Sequence, residues 1–353
     1  MLSFVYEALP GRVRFGAGCI RSLAAEAEQL GLRRLLVICT PNQRPLAEQA
    51  AAVLGSAAVG IFDQAAMHVP AATADAALEV VHRQQADGCV AIGGGSTIGL
   101  AKAIALDTGL PSIAVPTTFA GSEATPIWGL TRDGVKTTGR DLQVLPRAIL
   151  YDPELSRTLP GSIAAPSALN AMAHCVEGLY AENRNPITSL LAVEGTRALA
   201  THLPSLLRDP DNLEARTQCL YGAWLAGVVL GSVGMALHHK LCHTLGGSFG
   251  LPHAEVHGVI LPYATAYNAS HAPEAMQQLA AALDVTPKAV PGTLHDLAVD
   301  TGAPTSLATL GLQARDLERA AELATRNPYY NPGPVTREGV LALLQQAYEG
   351  ERP

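Results

Sequence analysis

Short apolar runs rich in β-branched residues alternate with helix-patterned stretches through the first part of this chain, and then the strand signals stop. "RLLVICT" (34–40), "AVGIFDQ" (58–64), "GCVAIGG" (88–94) and "SIAVPTT" (112–118) read as strands. Between them, "LAEQAAAVL" (46–54), "TADAALEVVHRQQA" (73–86) and "IGLAKAIAL" (98–106) carry apolar residues at helical spacing. Strands joined by helices rather than tight turns make a parallel sheet with helices on both faces. After "AILYDPELSRTLP" (148–160), Ala- and Leu-rich helical stretches broken by Pro and Gly run to the end. The predicted organisation is an α/β domain over residues 1–158 and an all-helical domain over 159–353.

A chain of 353 residues is long for one hydrophobic core, which agrees with two domains. A formal charge of −7 argues against nucleic acid or an anionic membrane as partner. Cys19, Cys39, Cys89, Cys175, Cys219 and Cys242 are scattered, with no CxxC pair, and read as reduced thiols. The start of the chain has no basic-then-apolar signal pattern, and no apolar run approaches membrane-spanning length. The expectation is a soluble, cytoplasmic protein.

"VAIGGGSTIGLAKAIAL" (90–106) is a strand, a glycine turn and a helix. Gly93, Gly94 and Gly95 allow a backbone to approach a diphosphate closely, and the helix that opens at Ser96 and Thr97 offers free N–H groups. It matches neither the GxGxxG fingerprint nor the GxxxxGK[ST] loop. Alone it is equally a tight βα connection. A second polar loop, "VPTTFAGSEATP" (115–126), puts the hydroxyls of Thr117, Thr118 and Ser122 at another strand end. Two such loops at the carboxyl edge of a parallel sheet point to a dinucleotide. Thr40 ends the first strand where an acidic residue would grip the ribose of NAD and repel the phosphate of NADP, so both NADH and NADPH are expected.

Five of the eleven histidines fall in "MALHHKLCHTLGGSFGLPHAEVHG" (235–258). His239 and His243 are i, i+4, and His253 follows a Gly-Gly break. In "SALNAMAHCVEGLYA" (167–181), Asn170 and His174 share a helix face. His174, His239 and His253 can converge with Asn170 and His243 beside them, an arrangement that suits catalytic Zn²⁺ or Fe²⁺. His238 and His257 read as core or surface histidines.

Together, "GGGSTIGLAKAIAL", "PTTFAGSE", the Asn170–His174 segment and "HHKLCHTLGGSFGLPH" resemble the iron-containing alcohol dehydrogenase superfamily. "GMALHHKLCHTLGG", "DGVKTTGRDLQVLPRAILYDPELSRTLP" and "RNPYYNPGP" resemble its maleylacetate reductase branch, and the likeness spans the chain. The resemblance implies the dehydroquinate synthase-like architecture, a nucleotide-binding α/β domain followed by a helical one with the active site in a cleft, and a homodimer.

In the metal-dependent relatives an Asp and three His hold the metal. Those positions are Asn170, His174, His239 and His253 here, so the one anionic ligand is a neutral amide. Four neutral ligands leave a dication's charge unbalanced, so no metal is expected to be required; if one binds, His174, His239 and His253 hold it. The implied reaction is NAD(P)H-dependent reduction of the conjugated C=C bond of maleylacetate to 3-oxoadipate. Its enolate intermediate needs donors rather than a Lewis acid, with His243, and with it His239 or His174, as oxyanion stabiliser and acid. The dicarboxylate substrate calls for cations: Lys240 and Lys136 first, then Arg132 and Arg140, with Lys136 alternatively at the nicotinamide ribose; Asn170 and His253 complete the pocket. Pro262-Tyr263 and Gly333 depart from the family's pattern and suggest altered substrate choice. Two other readings stay open: a metal-dependent alcohol or aldehyde dehydrogenase, and a non-redox lyase or cyclase on the same fold.

Overall fold

The computed structural model describes residues 3–353, which divide into two compact units. One unit spans Leu9–Leu159, and the other joins Pro160–Pro353 with the segment ending at Ala8.

The first unit holds eight strands: β1 (Arg12–Phe15), β2 (Leu35–Ile38), β3 (Ala58–Phe62), β4 (Gly88–Gly93), β5 (Ser112–Pro116), β6 (Ile127–Arg132), β7 (Val135–Arg140) and β8 (Ala148–Tyr151). Helices α1 (Leu23–Gln29), α2 (Arg44–Leu54), α3 (Ala71–Gln84) and α4 (Gly95–Thr108) connect them. Six strands form one parallel sheet in the order β1-β8-β5-β4-β2-β3. The four strands read from sequence are the middle of this sheet and its β3 edge. Their near-continuous apolar character follows from burial on both faces: every residue of β2, β4 and β5 is buried. The chain winds outward from β2 to β3 and then crosses to β4 and β5. The winding therefore reverses between β2 and β4.

The antiparallel pair β6–β7 and the strands β1 and β8 were not apparent from hydrophobic pattern. β7 is almost wholly exposed, so it lacks the apolar run that marks a buried strand. The signal it does carry is its turn. Asp133 and Gly134 both take positive φ, 51° and 74°, the backbone that Asp-Gly hairpin turns require.

The second unit is helical: α5 (Gly161–Gly178), α6 (Pro186–Arg208), α7 (Leu213–Ser232), α8 (Leu237–Phe249), α9 (His253–Asn268), α10 (Pro273–Leu283), α11 (Val290–Asp300), α12 (Leu317–Thr325) and α13 (Arg337–Glu349). Leu241, Leu245, Val256, Ile260, Tyr263, Leu317, Leu343 and Leu344 form one core between α8, α9, α12 and α13. That core fixes α8 against α9 and so decides where their histidines point. No single helix among the described residues is long and apolar enough to cross a membrane.

Candidate active site

The carboxyl ends of β2 and β4 are the switch point of the sheet, where doubly wound domains bind ligands. Thr40 follows β2 there, and Gly93–Gly95 close β4 and open α4. Gln43 spans the gap: its amide donates to the Thr117 hydroxyl at 2.7 Å, and the Thr40 hydroxyl donates to its Oε1 at 3.2 Å. Each glycine has a different task. Gly93 has φ +151°, and a Cβ there would lie 2.5 Å from both Gln43 Oε1 and Thr97 Oγ1. A Cβ on Gly94 would meet Thr118 Cγ2 at 2.8 Å. A Cβ on Gly95 would meet nothing within 4 Å beyond its own turn. Gly95 opens the first turn of α4, and the buried Thr97 hydroxyl, packed against Gly93, has no hydrogen-bond partner. Space, free helix N–H groups and an unused hydroxyl fit a diphosphate.

The loop after β5 is held from below. Lys102, 3% exposed on α4, donates to the carbonyls of Ser122, Thr125 and Ile127 at 2.7–2.8 Å and to the Thr125 hydroxyl at 3.0 Å. Burial pushes its ammonium down to about 7, against the pull of Glu123. Lys102 thus shapes the hydroxyl loop. Lys136, Arg132 and Arg140 stand on the exposed hairpin, with Lys136 opposite Thr131.

In the helical unit, α5 presents Asn170, His174 and Glu177 at i, i+4 and i+7, one helix face. α8 contributes His238, His239 and His243, and α9 begins at His253 with His257 one turn on. The rings form a continuous patch. His174 lies 5.1 Å from His239 and His239 4.8 Å from His257 between centroids; His253 is 4.5 Å from His257 and stacks on His243 at 6.2 Å. His238 and His257 belong to this patch: His238 Nε2 and His257 Nδ1 share a hydrogen bond of 2.9 Å. They are core histidines, but ones on which the site is built.

Glu177 organises the patch and was missed from sequence. It is fully buried, and its carboxylate accepts from the backbone N–H groups of Ala236 (2.9 Å), His238 (2.7 Å) and His239 (3.4 Å), capping the start of α8. Oε2 also lies 2.6 Å from His239 Nδ1. A carboxylate can only accept, so Nδ1 carries the hydrogen and Nε2 points inward. His239 Nε2, His174 Nδ1 and Asn170 Oδ1 are all buried without partners. The i+7 spacing from Asn170 was the available signal.

Burial, reinforced by the neighbouring imidazoles, holds His174, His238 and His257 well below the usual histidine range. His174 is therefore neutral near pH 7, a hydrogen-bonding or ligating group rather than a source of protons. His243 is exposed, and its Nδ1 lies 3.0 Å from the hydroxyl of Tyr329. Lys240, one helical turn before it, sits 5.4 Å above the Tyr329 ring. Tyr329 itself lies in the "RNPYYNPGP" loop, which Asn331 anchors through paired amide hydrogen bonds of 2.7 and 2.9 Å to Asn268.

The two positions expected to alter substrate choice are set in packed surroundings. Tyr263 lies in the helical core, 1% exposed. At Gly333 a Cβ would meet the His271 ring at 2.7 Å and the Asn268 Oδ1 at 3.3 Å, so a side chain there would have to displace His271.

A divalent cation could draw on Asn170, His174 and His239, whose unpaired buried atoms suit ligation, together with His253. None of the four is an anionic ligand. Among the described residues, the ligand atoms of His238, His239 and His257 also lie within 4.8 Å of one another, although the first and third are already bonded together.

Comparison with known proteins agrees with this architecture. Residues 10–153 match the family described as iron-containing alcohol dehydrogenase, and 164–348 match the Fe-containing alcohol dehydrogenase family, C-terminal. The chain is 54% identical over 352 residues to a maleylacetate reductase of Sphingobium indicum, covering 100% of this chain and 99% of that protein. It is 53% identical to a maleylacetate reductase of Burkholderia cepacia, with 100% of both chains covered. The crystal structure of maleylacetate reductase from Agrobacterium tumefaciens superposes with a TM-score of 0.96 at 51% identity, with 100% of each chain covered.

Proposed function

The chain belongs to the iron-containing alcohol dehydrogenase family, and from that premise we propose that it reduces maleylacetate to 3-oxoadipate with NADH or NADPH. The enzyme is an oxidoreductase, and the observation that carries the substrate is identity above half, over full length, to maleylacetate reductases. Hydride passes from the nicotinamide to the alkene carbon remote from the ketone. The electron pair of the C=C bond moves onto the ketone oxygen as an enolate, which collapses as the adjacent carbon takes a proton. NAD(P)⁺ leaves, and one proton is consumed.

This reading gives the diphosphate to Gly93–Gly95 and the α4 N-terminus, with Thr97, Thr117, Thr118 and Ser122 as hydroxyl donors. His174 faces the developing enolate oxygen as a donor, and His239, whose Nδ1–H is held by Glu177, donates there through Nε2 only in its doubly protonated form. His243 supplies the carbon-bound proton, because it alone of these three is exposed and can be recharged from solvent. Lys240, beside Tyr329, receives a substrate carboxylate.

A divalent metal on Asn170, His174, His239 and His253 would polarise the ketone oxygen. The donors are neutral, and the nearby carboxylate of Glu177 is committed to α8 and to His239, so in this reading turnover does not depend on a metal. Enolate formation makes that independence chemically reasonable. A cytoplasmic homodimer is part of the same proposal, checked by size-exclusion chromatography.

The deciding experiment follows NADH oxidation with maleylacetate, with and without EDTA, beside a panel of aldehydes. Turnover of maleylacetate that survives EDTA is expected. Turnover of aldehydes alone, abolished by EDTA, would replace this reading with a metal-dependent alcohol dehydrogenase.

A further inference from the structure

An ion pair stands at the tips of the two outermost strands on the side of Thr40. Arg44, the first residue of α2, reaches Asp63 Oδ2 at 2.6 Å through Nη1 and Glu48 Oε1 at 3.0 Å through Nε. Asp63 follows β3 as Cys39 and Thr40 follow β2. The register pairs Ile38 with Phe62, and Cys39 donates to the Phe62 carbonyl at 3.0 Å and accepts from Ala65 N–H at 3.1 Å. A carboxylate and a guanidinium thus stand by Cys39, the residue before the neutral Thr40, on the carboxyl edge of the sheet and one strand beyond the switch point.

We propose that Arg44 and Asp63 set the enzyme's choice between NADPH and NADH, with Arg44 receiving the 2′-phosphate and Asp63 opposing it. The proposal rests on the reading that the adenosine ribose lies at Thr40 while the diphosphate occupies the glycine turn.

The pair is solvent-accessible, with side chains 49% and 31% exposed. Exposed ion pairs are weak, so Arg44 can leave Asp63 at little cost. A phosphate dianion is a stronger, bidentate partner for a guanidinium than one shared carboxylate oxygen. NADPH therefore gains a contact by drawing Arg44 away, yet it brings two negative charges beside Asp63 and Glu48. With NADH the pair stays closed. The outcome is an enzyme that takes both cofactors with a modest bias toward NADH, held there by Asp63 rather than by the residue at the end of β2.

Dissociation constants for NADH and NADPH, measured by titration calorimetry on the full chain, test this without substrate. In Arg44→Ala the ratio Kd(NADPH)/Kd(NADH) should rise about tenfold, and in Asp63→Asn it should fall about fivefold. Raising the salt should weaken NADPH more than NADH in the wild type and erase that difference in Arg44→Ala. Ratios that stay within twofold of wild type (roughly the scatter of such contacts) in both variants would overturn the proposal. Because maleylacetate is absent, its failure as a substrate would leave these ratios untouched and count only against the reaction assigned above.

Discussion

The Oε2 of Glu177 lies 2.6 Å from Nδ1 of His239, and the same carboxylate caps the helix on which His239 stands. One buried side chain therefore sets both the position of α8 and the tautomer of its central imidazole. Two substitutions should separate the roles. Glu177→Gln keeps an acceptor but removes the charge, and kcat should fall by about 10–100-fold with a small change in Tm. Glu177→Ala strips the cap and leaves buried N–H groups unpaired, so unfolding free energy should drop by about 3 kcal/mol or more. Chemical denaturation and steady-state kinetics on both variants check this; equal kinetic losses with equal stability losses would argue for a purely structural residue.

His243 and Tyr329 form the exposed end of the histidine patch, 3.0 Å apart. If His243 delivers the carbon-bound proton, His243→Ala should lower kcat about 100-fold or more while Kd for NADH stays within about twofold. Tyr329→Phe keeps the ring under Lys240 but loses the hydroxyl contact, and its smaller effect should fall on kcat more than KM. Near-normal turnover in His243→Ala would remove His243 from the mechanism.

Gly93 and Gly95 are adjacent in role but not in constraint. Gly95→Ala meets no atom within 4 Å, so Tm should hold while the Kd for either cofactor rises about tenfold as the methyl fills the diphosphate cradle. Gly93→Ala forces a Cβ against two oxygens at φ +151° and should lower stability by about 1–3 kcal/mol. Thermal melts alongside cofactor titration distinguish the two; a Gly95→Ala protein that binds NADH normally would place the diphosphate elsewhere.

Glu123 is fully buried with the Tyr151 hydroxyl donating to it at 2.7 Å, and burial raises its carboxyl above the ordinary value of 4.5. A raised carboxyl favours the protonated fold, so its contribution is complete below about 4.5 and is lost as pH rises toward the folded value. Glu123→Gln cannot ionise. The variant should gain stability relative to wild type as pH climbs from 4 to 8, by about 1.4 kcal/mol for each unit of elevation. Urea midpoints across that range should show a widening gap, and a constant gap would contradict the buried-acid account.

How much of this was legible in the chain depends on the range of the interaction. The buried strands β2, β4 and β5 announced themselves as apolar runs because both faces are covered. The hairpin β6–β7 did not, since only its Asp133-Gly134 turn bears a local signature. Asn170 and His174 were found by helical spacing, and the neutral amide where the resemblance implies an anionic ligand was visible as a single letter. Glu177 lies on the same face, but its purpose is set by a backbone fifty-nine residues away, at Ala236, and no periodicity encodes that.

By itself, then, the sequence determined the α/β-then-helical order, the glycine turn and the set of histidines, because each rests on local geometry of helix, strand or turn. Tertiary structure alone decided which imidazoles are neutral, which tautomer His239 adopts and which histidine meets solvent. It also decided that Asp63 stands by Cys39, next in the chain to Thr40. Those properties depend on burial and on partners brought together from distant segments, and a dielectric environment exists only once the chain has folded around it.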